Sequence, residues 1–325
     1  MSAAAPLPVD CYVVAGHPVA HSQSPFIHTM FAQAAGQALR YGRLLCPIDE
    51  VGGFARQVRA FAGSRGGEVG EFEADLDHRN VGRARGCNIT VPFKFDAFAL
   101  AVRHTERARL AQAANVLSFE PEERGGWVAD NTDGAGLVRD IVHNAAVPLA
   151  GQRVLLIGAG GAAAGALGPL IGARPAALVL CNRTADKAQA LAARHHACAA
   201  AHGVSLSVAP LQQPGIAFDV VVNASASSLE ACAPPVPASV LRAGTLALDM
   251  MYGAAAHPYL AWAESHGARG RDGLGMLVEQ AAEAFFMWRG VRPDTAPVLA
   301  ALRQRLADAV CVSAATVHAP VENKP

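Results

Sequence analysis

The sequence predicts an α/β protein in two domains, and three observations carry that reading. The apolar run Val154-Leu-Leu-Ile157 ends in Gly158-Ala159-Gly160-Gly161-Ala162-Ala163, a buried strand that turns through glycines into a helix. Ala177-Leu-Val-Leu-Cys181 follows as the next strand of a βαβ unit and closes on Asn182-Arg183-Thr184. Strand-like and helix-like stretches also alternate upstream, between Cys11 and Asn144. A chain of 325 residues is long enough for two cores.

Taken in order, Cys11–Gly16 reads as a first strand. Ser24 then serves as a helix cap and Pro25 as a first helical residue for a helix to Ala35. Leu39–Cys46 reads as a strand and Asp49–Ala62 as a helix capped by Asp49. Gly63–Gly86 breaks the rhythm with glycines, then acids, then arginines, and reads as a surface excursion. Cys87–Val91 resumes as a strand, Pro92 starts a helix to about Val102, and Ala113–Phe119 is another strand. Asp130-Asn131-Thr132-Asp133-Gly134 opens a helix that reaches about Asn144, and Pro148–Gly151 forms the joint to the second domain.

Beyond Arg183 the pattern gives a helix over Asp186–Ala201 and strands at Ser205–Ala209, Phe218–Ser225 and Leu246–Tyr252. Gly273–Arg289 is helical, with Leu277, Ala281, Ala284 and Trp288 on one face. A last helix covers Thr295–Val310, and Cys311–Pro325 reads as a loose tail.

Composition narrows the function. Apolar residues make up 52% of the chain and charged ones 17%, so there is ample core. With 27 basic and 27 acidic residues the net charge is zero, which provides no general field to attract nucleic acid or an anionic membrane. Seven cysteines, without a CxxC pair, read as thiols in a reducing compartment. The start, Met1-Ser-Ala-Ala-Ala-Pro-Leu-Pro8, has no basic region and no apolar stretch of signal-peptide length, so a cytoplasmic location is expected.

The glycine turn points to a dinucleotide. Gly158 makes the turn, Gly160 lets the backbone approach a pyrophosphate, and the helix N-terminus offers free N–H groups and a favourable dipole. No acid stands at the end of the second strand to hold a ribose 2′-hydroxyl. Asn182-Arg183-Thr184 offers a cation and two polar groups instead, which suits a 2′-phosphate and hence NADP. Val154–Ala173 is also a 20-residue uncharged stretch with Gly161 and Gly165 spaced as in membrane helix pairs. Six glycines and Pro169 inside it argue against a spanning helix.

Several side chains could carry chemistry. Lys94 falls in the first turn of a helix, where a cation opposes the dipole; an ordinary solvated lysine is the alternative. Asp133 sits in a first turn that stabilises its carboxylate, a role compatible with catalysis. Ser22 and Ser24 place two hydroxyls near a helix N-terminus, where a carboxylate could bind. Asn88, Thr90 and Asn115 are polar residues at strand ends, where α/β proteins bind ligands. His195, His196, Cys198 and His202 share a helix but not one face, and no second cluster joins them; no metal is expected.

Six motifs together resemble the NADP-dependent shikimate dehydrogenases of aromatic amino-acid biosynthesis. They are His21-Ser22-Gln-Ser24-Pro25, Asn88-Ile-Thr90-Val-Pro92-Phe-Lys94, Asp130-Asn-Thr-Asp133-Gly134, Gly158-Ala-Gly160-Gly161-Ala162, Asn182-Arg183-Thr184 and Asp272-Gly273-Leu-Gly275-Met276-Leu-Val-Glu-Gln280. They run in family order over nearly the whole chain. The resemblance implies an α/β substrate domain over 1–133, completed by helices within 274–310. A Rossmann-type NADP-binding domain would occupy 134–273, and 311–325 would be a flexible tail.

By motif, Lys94 and Asp133 would be the catalytic pair. Ser22 and Ser24 would bind the substrate carboxylate, and Asn88, Thr90, Asn115 and Gln280 the ring hydroxyls, with Tyr252 close by. Gly158, Ala159, Gly160, Gly161, Ala162, Asn182, Arg183, Thr184 and Lys187 would hold NADP(H), joined by Glu106, Met250 and Gly273. The implied reaction is reversible reduction of 3-dehydroshikimate to shikimate by NADPH. Lys94 would stabilise and protonate the carbonyl oxygen.

Three departures from the family pattern bear on fine substrate preference. They are the long 63–86 stretch, Val116 in place of a usual threonine, and Asn223-Ala-Ser225-Ala226-Ser-Ser in place of Asn-Ala-Thr-Ser-x-Gly. A quinate/shikimate dehydrogenase with broader substrate or NAD use is the nearest alternative. A methylene-tetrahydrofolate dehydrogenase would not need the His-Ser-x-Ser-Pro loop, and a non-catalytic regulatory relative would have lost Lys94 or Asp133. Monomer and homodimer both remain open.

Overall fold

The computed structural model describes residues 9–64, 68–72, 81–225, 227 and 236–317. Two six-stranded sheets organise them. The first is built from β1 (Val9–Gly16), β2 (Leu39–Leu45), β3 (Val81–Ile89), β4 (Arg103–His104), β5 (Val116–Ser118) and β6 (Val128–Asp130), in the order β2-β1-β3-β5-β6-β4. β1 runs parallel to β2 and β3, whereas β5 is antiparallel to both β3 and β6.

Helices α1 (Ser24–Ala34), α2 (Gly53–Gly63), α3 (Lys94–Leu100) and α4 (Glu106–Ala111) accompany it. The second sheet is wholly parallel: β7 (Arg153–Ile157), β8 (Ala177–Cys181), β9 (Ser205–Ala209), β10 (Val220–Asn223), β11 (Leu246–Asp249) and β12 (Arg269–Arg271), ordered β12-β11-β10-β7-β8-β9. The order reverses between β7 and β10, so a crevice opens beyond the C-terminal ends of these two strands.

Helix α5 (Asp133–Arg139) continues as a wider turn through Asn144 and joins the two sheets. It lies between α6 (Gly161–Gly172) and α9 (Leu274–Arg289). α7 (Ala185–His202) and α8 (His257–Ser265) flank the second sheet, while α9 and α10 (Ala296–Val317) pack on α1 around Ile27, Phe31, Val278, Phe285 and Leu302. The C-terminal helices therefore return to the first sheet, as expected. Among the described residues no helix is long and apolar enough to cross a membrane.

Several local expectations are corrected. The 63–86 excursion is shorter than expected, because Val81 already begins β3. Arg83 and Arg85 face out while Ala84 and Gly86 are buried, an alternation the flanking glycines hide in the sequence. Val69 and Phe72 pack on the first core, and residues 65–67 and 73–80 lie outside the described set.

Asp49 does not cap α2, since a left-handed Gly52 at φ 72° delays the helix to Gly53. Ser24 is not a cap either, for Gln23 holds that position without a side-chain bond. α3 starts two residues after Pro92, and Met250–Tyr252 leave the strand that precedes them. α4, β4, β6, α8 and β12 were not expected from sequence; Thr105, which accepts from the Ala108 N–H, caps α4 and was its legible signal. The last helix runs on to Val317, so the expected tail is helical at its start, and residues 318–325 lie outside the described set.

Candidate active site

Lys94 is the first residue of α3 and Asp133 the first residue of α5. Lys94 Nζ donates to Asp133 Oδ2 at 2.5 Å, and both side chains are largely buried, with exposures of 17% and 7%. The charged hydrogen bond offsets the cost of placing a cation at a helix start. The other carboxylate oxygen of Asp133 accepts from Asn115 Nδ2 at 2.9 Å.

Asn115 precedes β5 and is the centre of a polar cluster. Its Nδ2 also lies 2.9 Å from Thr132 Oγ1 and 3.0 Å from Gln280 Oε1. Its Oδ1 accepts the Thr132 backbone N–H at 2.8 Å. Gln280 reaches this cluster from α9 and donates through Nε2 to the Leu277 carbonyl. Thr132 itself is fully buried; sequence reasoning missed it, although it stands inside a motif already marked.

Asn88, in β3, donates to the Asn115 carbonyl at 3.3 Å and accepts the Tyr41 hydroxyl at 2.6 Å. Thr90 follows β3 and is pinned by its N–H to Ala15. Ser22 Oγ donates to Ser24 Oγ at 3.2 Å, and Arg43 holds the Ser22 carbonyl at 3.1 Å. Because Ser24 does not cap its helix, its hydroxyl stays available to a ligand. Tyr252 is half-buried beside the α1–α9 cluster, where burial raises its phenol above the ordinary range.

The glycine turn lies at the β7–β10 crevice. Gly158 adopts φ 117°, and a Cβ there would stand 2.7 Å from the Ala224 carbonyl oxygen, so only glycine fits. Its N–H donates to the Cys181 carbonyl at 2.7 Å, tying the turn to the end of β8. Gly160 precedes α6, and Gly161 and Ala162 form its first turn behind Ala159. Asn182 Nδ2 closes the next turn on the Thr184 carbonyl at 2.9 Å, leaving Arg183, Thr184 and Lys187 exposed at the start of α7.

Met250 and Gly273 meet through backbone: a Cβ on Gly273 would lie 2.4 Å from the Met250 carbonyl oxygen. The substrate-side and cofactor-side groups also meet, since the Cβ position of Gly161 is 3.6 Å from Lys94 Cβ. Glu106 stays apart. It lines a surface cavity of 430 Å³ with Arg109, Leu110 and, from α7, Arg194. His195 is buried and bonds the Leu191 carbonyl; among the described residues no group of three His, Cys, Asp or Glu could hold a metal.

Comparison with known proteins matches this arrangement. The shikimate dehydrogenase substrate binding domain matches residues 14–71, the shikimate/quinate 5-dehydrogenase domain residues 140–233, and the shikimate 5′-dehydrogenase C-terminal domain residues 273–303. The shikimate dehydrogenase (NADP(+)) of Methylibium petroleiphilum is 59% identical over 294 residues, 90% of this chain and 94% of the relative. That of Acidovorax sp. is 55% identical over 299 residues, 92% and 97% of the two chains.

Among solved structures, an Ael1 enzyme from Pseudomonas putida is 45% identical with a TM-score of 0.76, covering 90% of this chain and 98% of that one. The shikimate 5-dehydrogenase of Thermus thermophilus, solved with NADP(H) and shikimate, is 26% identical with a TM-score of 0.69, covering 90% and 98%. With all three domain signatures present in order, and such identity along nine-tenths of its length, this chain belongs to the shikimate dehydrogenase family.

Proposed function

We propose that this chain reversibly reduces 3-dehydroshikimate to shikimate with NADPH, and that Lys94 and Asp133 handle the proton. The observation that supports this reading is the Lys94–Asp133 pair, standing against the first residue of the phosphate-type helix. Residues 1–133 with the helices in 274–310 serve the substrate, and 134–273 serve the cofactor. Five described cysteines are free thiols, four of them buried, which fits a reducing cytoplasm.

The crevice fits NADP(H). A Cβ at Gly160 would meet nothing within 4 Å, so the backbone there lies open to a phosphate, and no side chain caps α6. Arg183, Thr184 and Lys187 would receive the 2′-phosphate. When bound, NADPH supplies the hydride.

The rest is the work of the chain. Ser22 and Ser24 receive the substrate carboxylate, and Asn88, Thr90 and Gln280 receive the ring hydroxyls. Lys94 lies where negative charge grows on the carbonyl oxygen; it stabilises that charge and gives up a proton, and in reverse takes one from the hydroxyl. Asp133 keeps the Lys94 Nζ aimed, and Asn115 keeps Asp133 fixed.

Absorbance at the nicotinamide band, with shikimate and quinate each crossed with NADP and NAD, tests the reading. Reduction chiefly with shikimate plus NADP is expected. Comparable rates with quinate or NAD would assign the broader-specificity alternative, and no reduction in any combination would overturn the enzyme assignment.

A further inference from the structure

Tyr41 belongs to none of the motifs, yet its phenol stands behind Asn88, one of the residues assigned to substrate. It lies in β2, in register with Tyr12 of β1, and is buried with 5% exposure. Its hydroxyl is 2.6 Å from Asn88 Oδ1. The ring is held by stacking on the fully buried His28, with centroids 4.4 Å apart and planes 2° from parallel.

The direction of these bonds follows from elementary chemistry. The other end of the Asn88 carboxamide faces the Asn115 backbone carbonyl at 3.3 Å. A carbonyl oxygen can only accept, so the Asn88 amino group must face it and Oδ1 must face Tyr41. Tyr41 is therefore the donor. One amino hydrogen of Asn88 is taken by Asn115, and one N–H remains for a ligand oxygen.

We propose that Tyr41 is a positioning residue. It commits Asn88 to presenting an N–H donor to a hydroxyl oxygen of the substrate ring. The inference rests on the proposed shikimate activity and adds to it the polarity of one contact. Without the phenol hydrogen, the carboxamide loses the bond that fixes its tilt.

The test is a double-mutant cycle on the full-length enzyme, read as steady-state constants with melting temperatures alongside. Tyr41→Phe keeps the ring and its stacking and removes the hydroxyl. It is expected to raise KM for shikimate about tenfold, the loss of one well-placed hydrogen bond, with kcat and the KM for NADP little changed. In an Asn88→Ala background the same change is expected to have no further effect, because Tyr41 acts through Asn88.

A purely structural role would instead lower kcat and melting temperature in both backgrounds. Additive effects with wild-type turnover intact would overturn this inference alone; absence of wild-type turnover with shikimate would overturn the proposed function and this inference together. Asn88→Asp gives a second arm that needs no change at Tyr41. It keeps the acceptor for the phenol and loses the donor, so KM for shikimate should rise as far as in Asn88→Ala. A KM close to that of the wild type would show that no donor is needed at Asn88.

Discussion

Gly165 of α6 packs directly on the Asn131 carboxamide: a Cβ at Gly165 would lie 2.4 Å from Asn131 Oδ1. That amide has little room to yield. Its Nδ2 donates to the Ala113 carbonyl at 2.9 Å, and its Oδ1 accepts the Asp133 backbone N–H at 3.3 Å. The helix after the glycine turn and the turn that carries Asp133 are thus one packed unit.

Gly165→Ala should therefore destabilise the protein and disturb the site together. Forcing one methyl into a filled contact costs about 1–3 kcal/mol. Thermal melts should show a lowered midpoint, and turnover should fall because Asp133 shifts with Asn131. A variant that keeps both wild-type stability and wild-type turnover would show that the contact yields freely.

Lys94→Ala tests the proton-transfer assignment. The variant should fold and retain NADP binding, with kcat lower by about 10²–10⁴, the span typical of losing a positioned acid or base. Asp133 keeps its bond from Asn115, so the carboxylate is not stranded. Turnover near the wild-type rate would remove Lys94 from the chemistry.

Arg183→Ala tests the 2′-phosphate contact. A hydrogen bond to a charged group contributes about 1.5–3 kcal/mol, so NADP affinity should fall about 10- to 100-fold. NAD, which lacks that phosphate, should be hardly affected. Equal losses for the two cofactors, measured by titration of the purified protein, would contradict the role.

His28 should make the fold sensitive to mild acid. Burial lowers its pKa from 6.5 to about 3, with the Asn88 side chain working weakly the other way. Tyr41, Phe31, Phe285 and Trp288 surround the ring. The unfolded chain takes up this proton first, so the contribution is complete above pH 6.5 and is lost as pH falls toward 3. Between pH 6.5 and 5 the loss is about 2 kcal/mol. His28→Phe should flatten the dependence of denaturation midpoint on pH over that range; an unchanged slope would mean that other groups set it.

Much of this molecule is written locally. The strand–glycine–helix turn at Val154–Ala163, the second strand ending at Asn182, and the six motifs with Lys94 and Asp133 are legible without coordinates. Each depends on residues within a few positions of one another, where backbone freedom, alternation and capping act directly. The same local rules misplaced caps at Ser24 and Asp49, where a neighbouring residue took the cap position, and hid the start of β3 behind glycines.

What tertiary structure alone decided is which polar groups meet. Tyr41 reaches Asn88 across 47 residues, and Asn115 reaches Gln280 across 165. Thr132 enters the same cluster, and Glu106 meets Arg194 of α7 in the lining of a surface cavity. A hydrogen bond between buried groups exists only once packing has excluded water and fixed both partners. No propensity or spacing in the chain records that pairing, so the sequence determined the fold and the chemical groups, and packing determined how those groups are aimed.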